Sequence, residues 1–110
     1  MNGVFLGRRA ANNTVQGNYI GTDATGSFAL GNAGDGVYVE ADAGNGNTVG
    51  GTAAEVGNVI SGNGQYGIEL DVPVTEDFNV IGLNAALNDF LRNGSGGSEN
   101  GNFGPDDIHQ

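Results

Sequence analysis

Two carboxylates of this chain occupy equivalent positions and could carry out acid–base chemistry. Glu40 and Asp71 each follow one copy of the same short apolar phrase, at 36–39 (Gly-Val-Tyr-Val) and at 67–70 (Gly-Ile-Glu-Leu). If the two copies are strands in adjacent layers, their backbones lie about 4.8 Å apart and the two carboxylates are stacked. A general acid beside a second carboxylate is the apparatus of glycoside hydrolysis. These two residues, together with Glu69 in the neighbouring column, are therefore candidate catalytic residues.

The same carboxylates also have a structural explanation that needs no reaction. The chain has 13 Asp and Glu residues against three Lys and Arg, a net charge of −10, so acids are expected to lie side by side somewhere on its surface. Clusters of this kind perturb pKa values in structural sites as well as in catalytic ones. The sequence therefore favours a non-catalytic scaffold with a structural, surface or glycan-contacting role. The alternative is a polysaccharide-active hydrolase or lyase, in which Tyr38 beside the acids would stack on a sugar.

Three aspartates in turn-forming corners are candidate metal ligands. Asp23, Asp35 and Asp42 lie in stretches rich in Gly, Asn and Asp, and calcium favours carboxylate and carbonyl oxygens from such loops. Their spacing matches neither the EF-hand nor the glycine–aspartate nonapeptide of calcium-binding β-rolls. An aspartate at a corner usually bonds the backbone just after it. We therefore expect that no cofactor is required, with calcium as the alternative.

Recurring phrases predict the elements that hold these side chains. The Gly-led phrase begins at 3, 36 and 67, the Asn-led phrase at 18, 58 and 79, and an Asn-Thr-Val element at 13 and 47. The counterpart of the third element in the last unit is expected at 72–74, which contains a proline. Short β-branched strands in a fixed order, separated by Gly, Asn and Asp corners, predict an all-β chain. Its architecture is expected to be a right-handed parallel β-helix of about three coils.

The alternation of side chains along each strand predicts what faces inwards. The expected inward columns are Val4–Val37–Ile68, Leu6–Val39–Leu70 and Ile20–Ile60–Ile81. The asparagines that open the second phrase, Asn18, Asn58 and Asn79, fall at one position in successive coils. We expect them to form a ladder in which each amide bonds the backbone or the next asparagine.

Unequal spacing between the phrases indicates two inserted loops, at 21–34 and at 82–93. Both carry Ala, Leu and Phe, so each is predicted to fold back against the coils as a flap. The coils are expected to cover 1–93, and the polar segment 94–110 is expected to be an irregular tail or a cap. Because the end coils expose ladder bonds and apolar stacks, we expect self-association through a coil end.

Composition argues against several classes of partner and site. The strong negative charge argues against nucleic acid and anionic membranes. No apolar run approaches the roughly 18 residues that a membrane-spanning helix requires, so no membrane insertion is expected. The absence of cysteine excludes disulfides and thiolate metal sites. No signal peptide is visible in residues 1–11, and the chain is either a fragment of something longer or a minimal protein.

Four stretches resemble the repeats of bacterial right-handed parallel β-helix proteins. They are Asn-Thr-Val-Gln-Gly-Asn-Tyr-Ile-Gly-Thr-Asp-Ala-Thr-Gly at 13–26, Gly-Asp-Gly-Val at 34–37, Asn-Thr-Val-Gly-Gly-Thr at 47–52 and Gly-Asn-Val-Ile-Ser-Gly-Asn-Gly at 57–64. Members of that family are often large, secreted or surface-attached, and are related in fold to pectate lyases. The resemblance implies an extracellular or cell-surface location and a polysaccharide partner. In polysaccharide-degrading relatives the outer face of this kind of strand carries the active site, which here would be Glu40, Glu69 and Asp71.

Overall fold

The computed structural model describes residues 1–50, 56–71, 75–77, 79–81 and 108–109, and every structural statement below refers to these residues. They form ten short β-strands. The strands are β1 (Val4–Leu6), β2 (Thr14–Val15), β3 (Tyr19–Ile20), β4 (Val37–Val39), β5 (Thr48–Gly50), β6 (Val59–Ile60), β7 (Ile68–Leu70), β8 (Thr75–Asp77), β9 (Val80–Ile81) and β10 (Ile108–His109). No helix in this part of the chain is long and apolar enough to cross a membrane.

The strands form three parallel sheets that the chain visits in strict rotation. The sheet orders are β1-β4-β7-β10, β2-β5-β8 and β3-β6-β9. Every third strand therefore returns to the same sheet, and each pair within a sheet is parallel. The prediction of an all-β chain with parallel pairing is confirmed.

The strand register places the predicted inward residues in line. Val4 pairs with Val37 and Val37 with Ile68, while Ile20 pairs with Ile60 in another sheet. The buried core consists of Leu6, Val15, Ile20, Val37, Val39, Val49, Ile60, Ile68 and Leu70. These β-branched and leucine side chains bury their apolar surface between the three sheets, and that burial is the main driving force for folding.

One predicted strand position is wrong. The third member of the second sheet is β8 (Thr75–Asp77), which pairs with β5 so that Thr75 lies opposite Thr48. The sequence had suggested 72–74, which lies outside the described residues. Pro73 lacks the backbone N–H that a ladder bond requires, whereas Thr75 continues the column of Thr14 and Thr48. The threonine, not the Val-Pro-Val run, marks the repeat.

The predicted asparagine ladder is present and buried. The backbone N–H and Nδ2 of Asn58 both donate to Oδ1 of Asn79, at 3.1 Å and 2.8 Å. The same two groups of Asn18 donate to Oδ1 of Asn58, at 3.0 Å and 3.1 Å. Asn58 Nδ2 also donates to the carbonyl of Val15 in the preceding turn, at 2.8 Å. Because Asn58 is 1% exposed, these bonds satisfy an amide that has little access to water.

Two further asparagine pairs repeat this geometry and were not predicted. Asn13 donates through its backbone N–H and Nδ2 to Oδ1 of Asn47, each at 3.0 Å. Asn32 makes the same two bonds to Oδ1 of Asn63, at 3.3 Å and 3.0 Å. Asn47 and Asn63 are both buried. Side-chain amides therefore join successive turns at three separate corners of the described fold.

The first inserted loop is compact, but its large apolar side chains do not pack on the sheets. An antiparallel bridge joins Thr22 to Ala29. Phe28 is 71% exposed and Leu30 is 73% exposed, which contradicts the prediction that they fold back as a flap. The loop opens at Gly21, where a Cβ would collide with the carbonyl oxygen of Ser61 and φ is +93°. The second predicted loop, 82–93, lies outside the described residues.

The polar segment predicted to be irregular contributes one strand. Ile108 of β10 pairs with Ile68, and His109 pairs with Glu69, so β10 extends the first sheet beyond β7. The rest of 94–110 lies outside the described residues.

We predict that Asn58→Ala lowers the free energy of unfolding by about 2–5 kcal/mol. The substitution leaves several buried partners of the amide unpaired, and each costs about 1–3 kcal/mol. Asn18→Ala is the matched control, because Asn18 is exposed at the first rung of the same ladder, and it should cost about 1 kcal/mol. Urea unfolding followed by circular dichroism measures both. Equal losses in the two variants would contradict a buried, load-sharing ladder.

Candidate functional site

The candidate site is a strip on the outer face of the first sheet. Phe5, Tyr38 and Glu69 share one register column across β1, β4 and β7. They alternate with the buried valines and leucines of the same strands, so their side chains face outwards. Phe5 is 54% exposed, while Tyr38 and Glu69 are half-buried.

The second column of the strip holds the other two predicted acids. The backbone N–H of Glu40 donates to Leu6, at 3.0 Å, and that of Asp71 donates to Val39, at 2.9 Å. These bonds continue the ladder past the strand ends and keep Glu40 and Asp71 in consecutive turns. We call the five residues Phe5, Tyr38, Glu69, Glu40 and Asp71 the aromatic–acidic strip. All three acids that the sequence proposed as catalytic are therefore on one surface.

The two aromatic rings of the strip stack on each other. The ring centroids of Phe5 and Tyr38 are 5.6 Å apart and the ring planes are inclined by 29°. This separation is within the range at which aromatic pairs attract one another beyond their burial of area. The stack covers one face of Tyr38 and leaves Phe5 more than half exposed. Together the rings form a small apolar shelf at the side of the acids.

Tyr38 also links the two columns. Its hydroxyl donates to Oδ2 of Asp71, with 2.6 Å between the oxygen atoms, a length typical of a hydrogen bond to a charged acceptor. This bond, followed by partial desolvation and the charges of Asp71, Glu69 and Glu40, raises the pKa of Tyr38 to about 12. The phenol is therefore firmly protonated at neutral pH, and its position is set by Phe5 on one side and Asp71 on the other.

Sequence reasoning found the acids but missed the bond that orients them. It placed Tyr38 as a ring free to stack on a sugar, and it did not assign Phe5 to the site. The usable signal was the spacing: a tyrosine at one position of a strand reaches diagonally to an acid two positions further along in the next turn. That signal needs the register of the turns, and the repeats alone supply it only approximately.

Asp23, the first predicted calcium ligand, organises its own loop. Its Oδ1 accepts from the hydroxyl of Thr25 at 2.8 Å, from the backbone N–H of Thr25 at 3.2 Å and from that of Ser27 at 3.1 Å. The hydrogen bond from the Thr25 hydroxyl lowers the pKa of Asp23, so the group is a carboxylate at neutral pH. This is the turn-capping role expected of aspartate at a corner.

The other two predicted calcium ligands lie in different surroundings. Asp35 is buried, and its Oδ1 accepts from the backbone N–H of Tyr66 at 2.9 Å. Asp42 is exposed, and its carbonyl accepts from the backbone N–H of Arg9. Within the described residues, no group of three or more His, Cys, Asp or Glu side chains could hold a metal ion. The three aspartates are not brought together.

We predict that the phenol of Tyr38 titrates near pH 12 in the folded chain, compared with about 10 in an unfolded chain. Asp71→Asn removes the charged acceptor and should move the midpoint towards 10. The raised pKa adds stability that is complete below about pH 10 and is lost as the pH rises towards 12. The ring Cζ resonance of ¹³C-labelled tyrosine reports the titration, and Tyr38→Phe assigns it.

Asp23→Asn is the control for this experiment, because Asp23 is not among the groups that act on Tyr38. A midpoint that is the same in the native chain, in Asp71→Asn and in Asp23→Asn would contradict the contact.

Comparisons with known proteins do not add to this geometry. No family model matches the chain, and no curated protein or solved structure matches it. The argument about function therefore starts from the strip and from the fold that positions it.

Proposed function

We propose that this chain is a non-catalytic scaffold whose aromatic–acidic strip contacts neutral glycans. In this proposal the turns are coils of a right-handed parallel β-helix, about three in number, that covers residues 1–93 with insertions at 21–34 and 82–93. Residues 94–110 form a tail or cap. The rotation of the chain through three parallel sheets, with constant register in each, supports this architecture.

The observation that carries the glycan proposal is the fixed arrangement of Phe5, Tyr38 and Asp71. The ring stack and the 2.6 Å hydrogen bond hold an exposed apolar surface directly beside a carboxylate. A sugar presents the matching combination, with an apolar C–H face and hydroxyl groups around its edge. Aromatic rings bury the first, and carboxylates accept hydrogen bonds from the second.

Charge selects among glycans. Glu40, Glu69 and Asp71 give the strip a negative field, and the whole chain carries −10. An anionic polysaccharide would be repelled at short range, and so would nucleic acid or an anionic membrane. A neutral glycan meets no such repulsion, and its hydroxyls donate to the carboxylates.

A polysaccharide-active hydrolase or lyase is the second candidate function. The observation that favours it is that Glu40 and Asp71 occupy consecutive turns of one column, since glycoside hydrolysis uses a pair of carboxyl groups. In this structure, however, one oxygen of Asp71 already accepts the Tyr38 hydroxyl. We therefore assign these acids to binding, with Tyr38 and Asp71 as one unit.

We further propose an extracellular or cell-surface location and self-association through a coil end. The location follows only from the resemblance to secreted β-helix proteins. The association follows from strand edges at the ends of the described sheets, which present unpaired backbone groups.

We predict that the fold needs no bound metal and that excess EDTA leaves the apparent Tm unchanged. The reason is that Asp23 and Asp35 are already engaged by backbone and hydroxyl donors. Asp23→Ala should lower the stability by about 1 kcal/mol, because the loop loses its hydrogen-bond acceptor, and Asp42→Ala is the exposed control. Differential scanning calorimetry measures all three. A Tm that falls with EDTA, recovers with calcium and is insensitive to both in Asp23→Ala would instead assign a calcium site to this loop.

We predict weak binding of neutral oligosaccharides at the strip. In ¹H–¹⁵N NMR titrations with cello-, xylo- and manno-oligosaccharides, shifts should centre on Phe5, Tyr38 and Asp71. Phe5→Ala should weaken binding about fivefold, the equivalent of about 1 kcal/mol for a lost aromatic contact. Phe28→Ala is the matched control, because Phe28 is an exposed phenylalanine outside the strip.

Two results would contradict the glycan proposal. One is a titration in which no oligosaccharide of the panel shifts the strip resonances. The other is turnover of a polysaccharide that both Glu40→Gln and Asp71→Asn abolish, which would establish the enzymatic alternative.

A further inference from the structure

The first strand of each sheet leaves one edge without a partner strand among the described residues. We call the outer edge of β1, β2 and β3 the leading edge, and that of β7, β8 and β9 the trailing edge. In a parallel ladder, alternate residues direct both backbone groups to the same neighbour. Asn13 accepts from Thr48 of the next turn, so Thr14 directs its N–H and C=O to the leading edge. The same alternation applies to Phe5 and Tyr19.

The asparagine ladders have a direction. In every described rung, the earlier asparagine donates through its backbone N–H and Nδ2 to Oδ1 of the later one. Asn13, Asn18 and Asn32 are the first members of their ladders. Within the described part of the chain, no donor reaches their Oδ1 atoms. The leading edge therefore presents carbonyl acceptors at three corners.

The first rung differs from the next one in a way that fits an unfilled position. Asn58 Nδ2 donates to the carbonyl of Val15 in the preceding turn. Asn18 has no preceding turn, and its Nδ2 donates instead to Gln16 of its own turn, at 2.9 Å. A further turn on the leading edge would restore the pattern of the inner rung.

This direction decides how two copies can fit together. Two leading edges placed face to face would oppose acceptor to acceptor at each corner. A leading edge placed on a trailing edge continues the direction of the ladders, and it keeps the strands parallel. The complementary arrangement is therefore head to tail, which does not close on itself and produces an open series of oligomers.

The strand β10 occupies the place that the second copy would need. The strands β1, β2 and β3 belong to one turn and β7, β8 and β9 to another, so all three pairs form at one level only if β1 lies on β7. There, Val4 of the second copy would lie opposite Ile68, as Val37 does within the chain. Ile108 of β10 already pairs with Ile68.

We propose that the leading edge is a docking surface for a second copy of this chain, which stacks head to tail on the trailing edge, and that β10 competes with that copy for β7. The proposal rests on the coil architecture proposed above. It makes β10 a removable block on assembly. Because each copy carries −10, stacking is opposed by like charge and should strengthen as salt screens that repulsion.

The test uses proline to remove single backbone donors from the full chain. By the alternation of the ladder, His109 is the residue of β10 whose N–H and C=O face β7, so His109→Pro should release β10, and His109→Ala keeps the donor. Thr14→Pro removes a donor from the leading edge alone, and proline is tolerated where an edge N–H faces away from the sheet. Thr14→Ala is its control.

Sedimentation velocity over a range of protein and salt concentrations gives the readout. We expect His109→Pro to form dimers, trimers and larger species at concentrations at least tenfold lower than His109→Ala or the native chain. Adding Thr14→Pro should return His109→Pro to monomer, and adding Thr14→Ala should not. Circular dichroism and melting curves check that each variant is folded.

Three results would overturn the proposal. One is a folded His109→Pro that is no more associated than His109→Ala. Another is association that stops at a dimer, which would indicate two identical edges in contact. The third is association that Thr14→Pro leaves unchanged, which is also decisive in the native chain at high salt if His109→Pro does not fold. The oligosaccharide titrations are run on the same samples, so a failure of stacking is distinguished from a failure of the glycan proposal.

Discussion

The hydrogen bonds that join each turn to the next are the constraint on which the rest of this structure depends. Strands of two or three residues have too few ladder bonds to be stable alone. Here the ladder continues through the corners, where asparagine amides bond the backbone and the side chain of the next turn. A slip of one residue would leave these buried amides unpaired, at about 1–3 kcal/mol for each group. The amides therefore fix the register as well as adding stability.

A fixed register explains why chemistry-bearing side chains meet on one surface. Glu40 and Asp71 are far apart in sequence, yet the ladder places them in consecutive turns of one column. Tyr38 then reaches Asp71 diagonally, and Phe5 covers the ring from the turn before. No loop has to close for the strip to form. It is a direct product of the stacking, and its precision is that of the sheet.

The repeats predict the parts of the fold that recur and miss the parts that occur once. The Gly-led and Asn-led phrases were enough to align Val4, Val37 and Ile68 and to identify the buried ladder at Asn58. The proline in 72–74 misled the assignment of the last strand, because β-branched neighbours resemble a strand even where proline cannot donate.

The remaining misses have the same physical origin. The pairs Asn13–Asn47 and Asn32–Asn63 lie at corners, where asparagine is so common that a ladder cannot be distinguished from an ordinary turn residue. The bond from Tyr38 to Asp71 depends on a diagonal contact between turns, which no local pattern contains. The exposure of Phe28 and Leu30 depends on the direction in which the loop leaves the sheets, and composition is silent on that.

Hydrogen exchange at the ladder amides tests the central claim most directly. If register and stability both depend on buried rungs, the side-chain amide hydrogens of Asn58 and Asn79 exchange only when the whole chain unfolds. Those of Asn18, on the exposed first rung, should exchange quickly. NMR measurement of side-chain exchange in labelled protein, with urea unfolding for the global free energy, gives the comparison. Exchange at Asn58 as fast as at Asn18, well below the global free energy, would contradict the account.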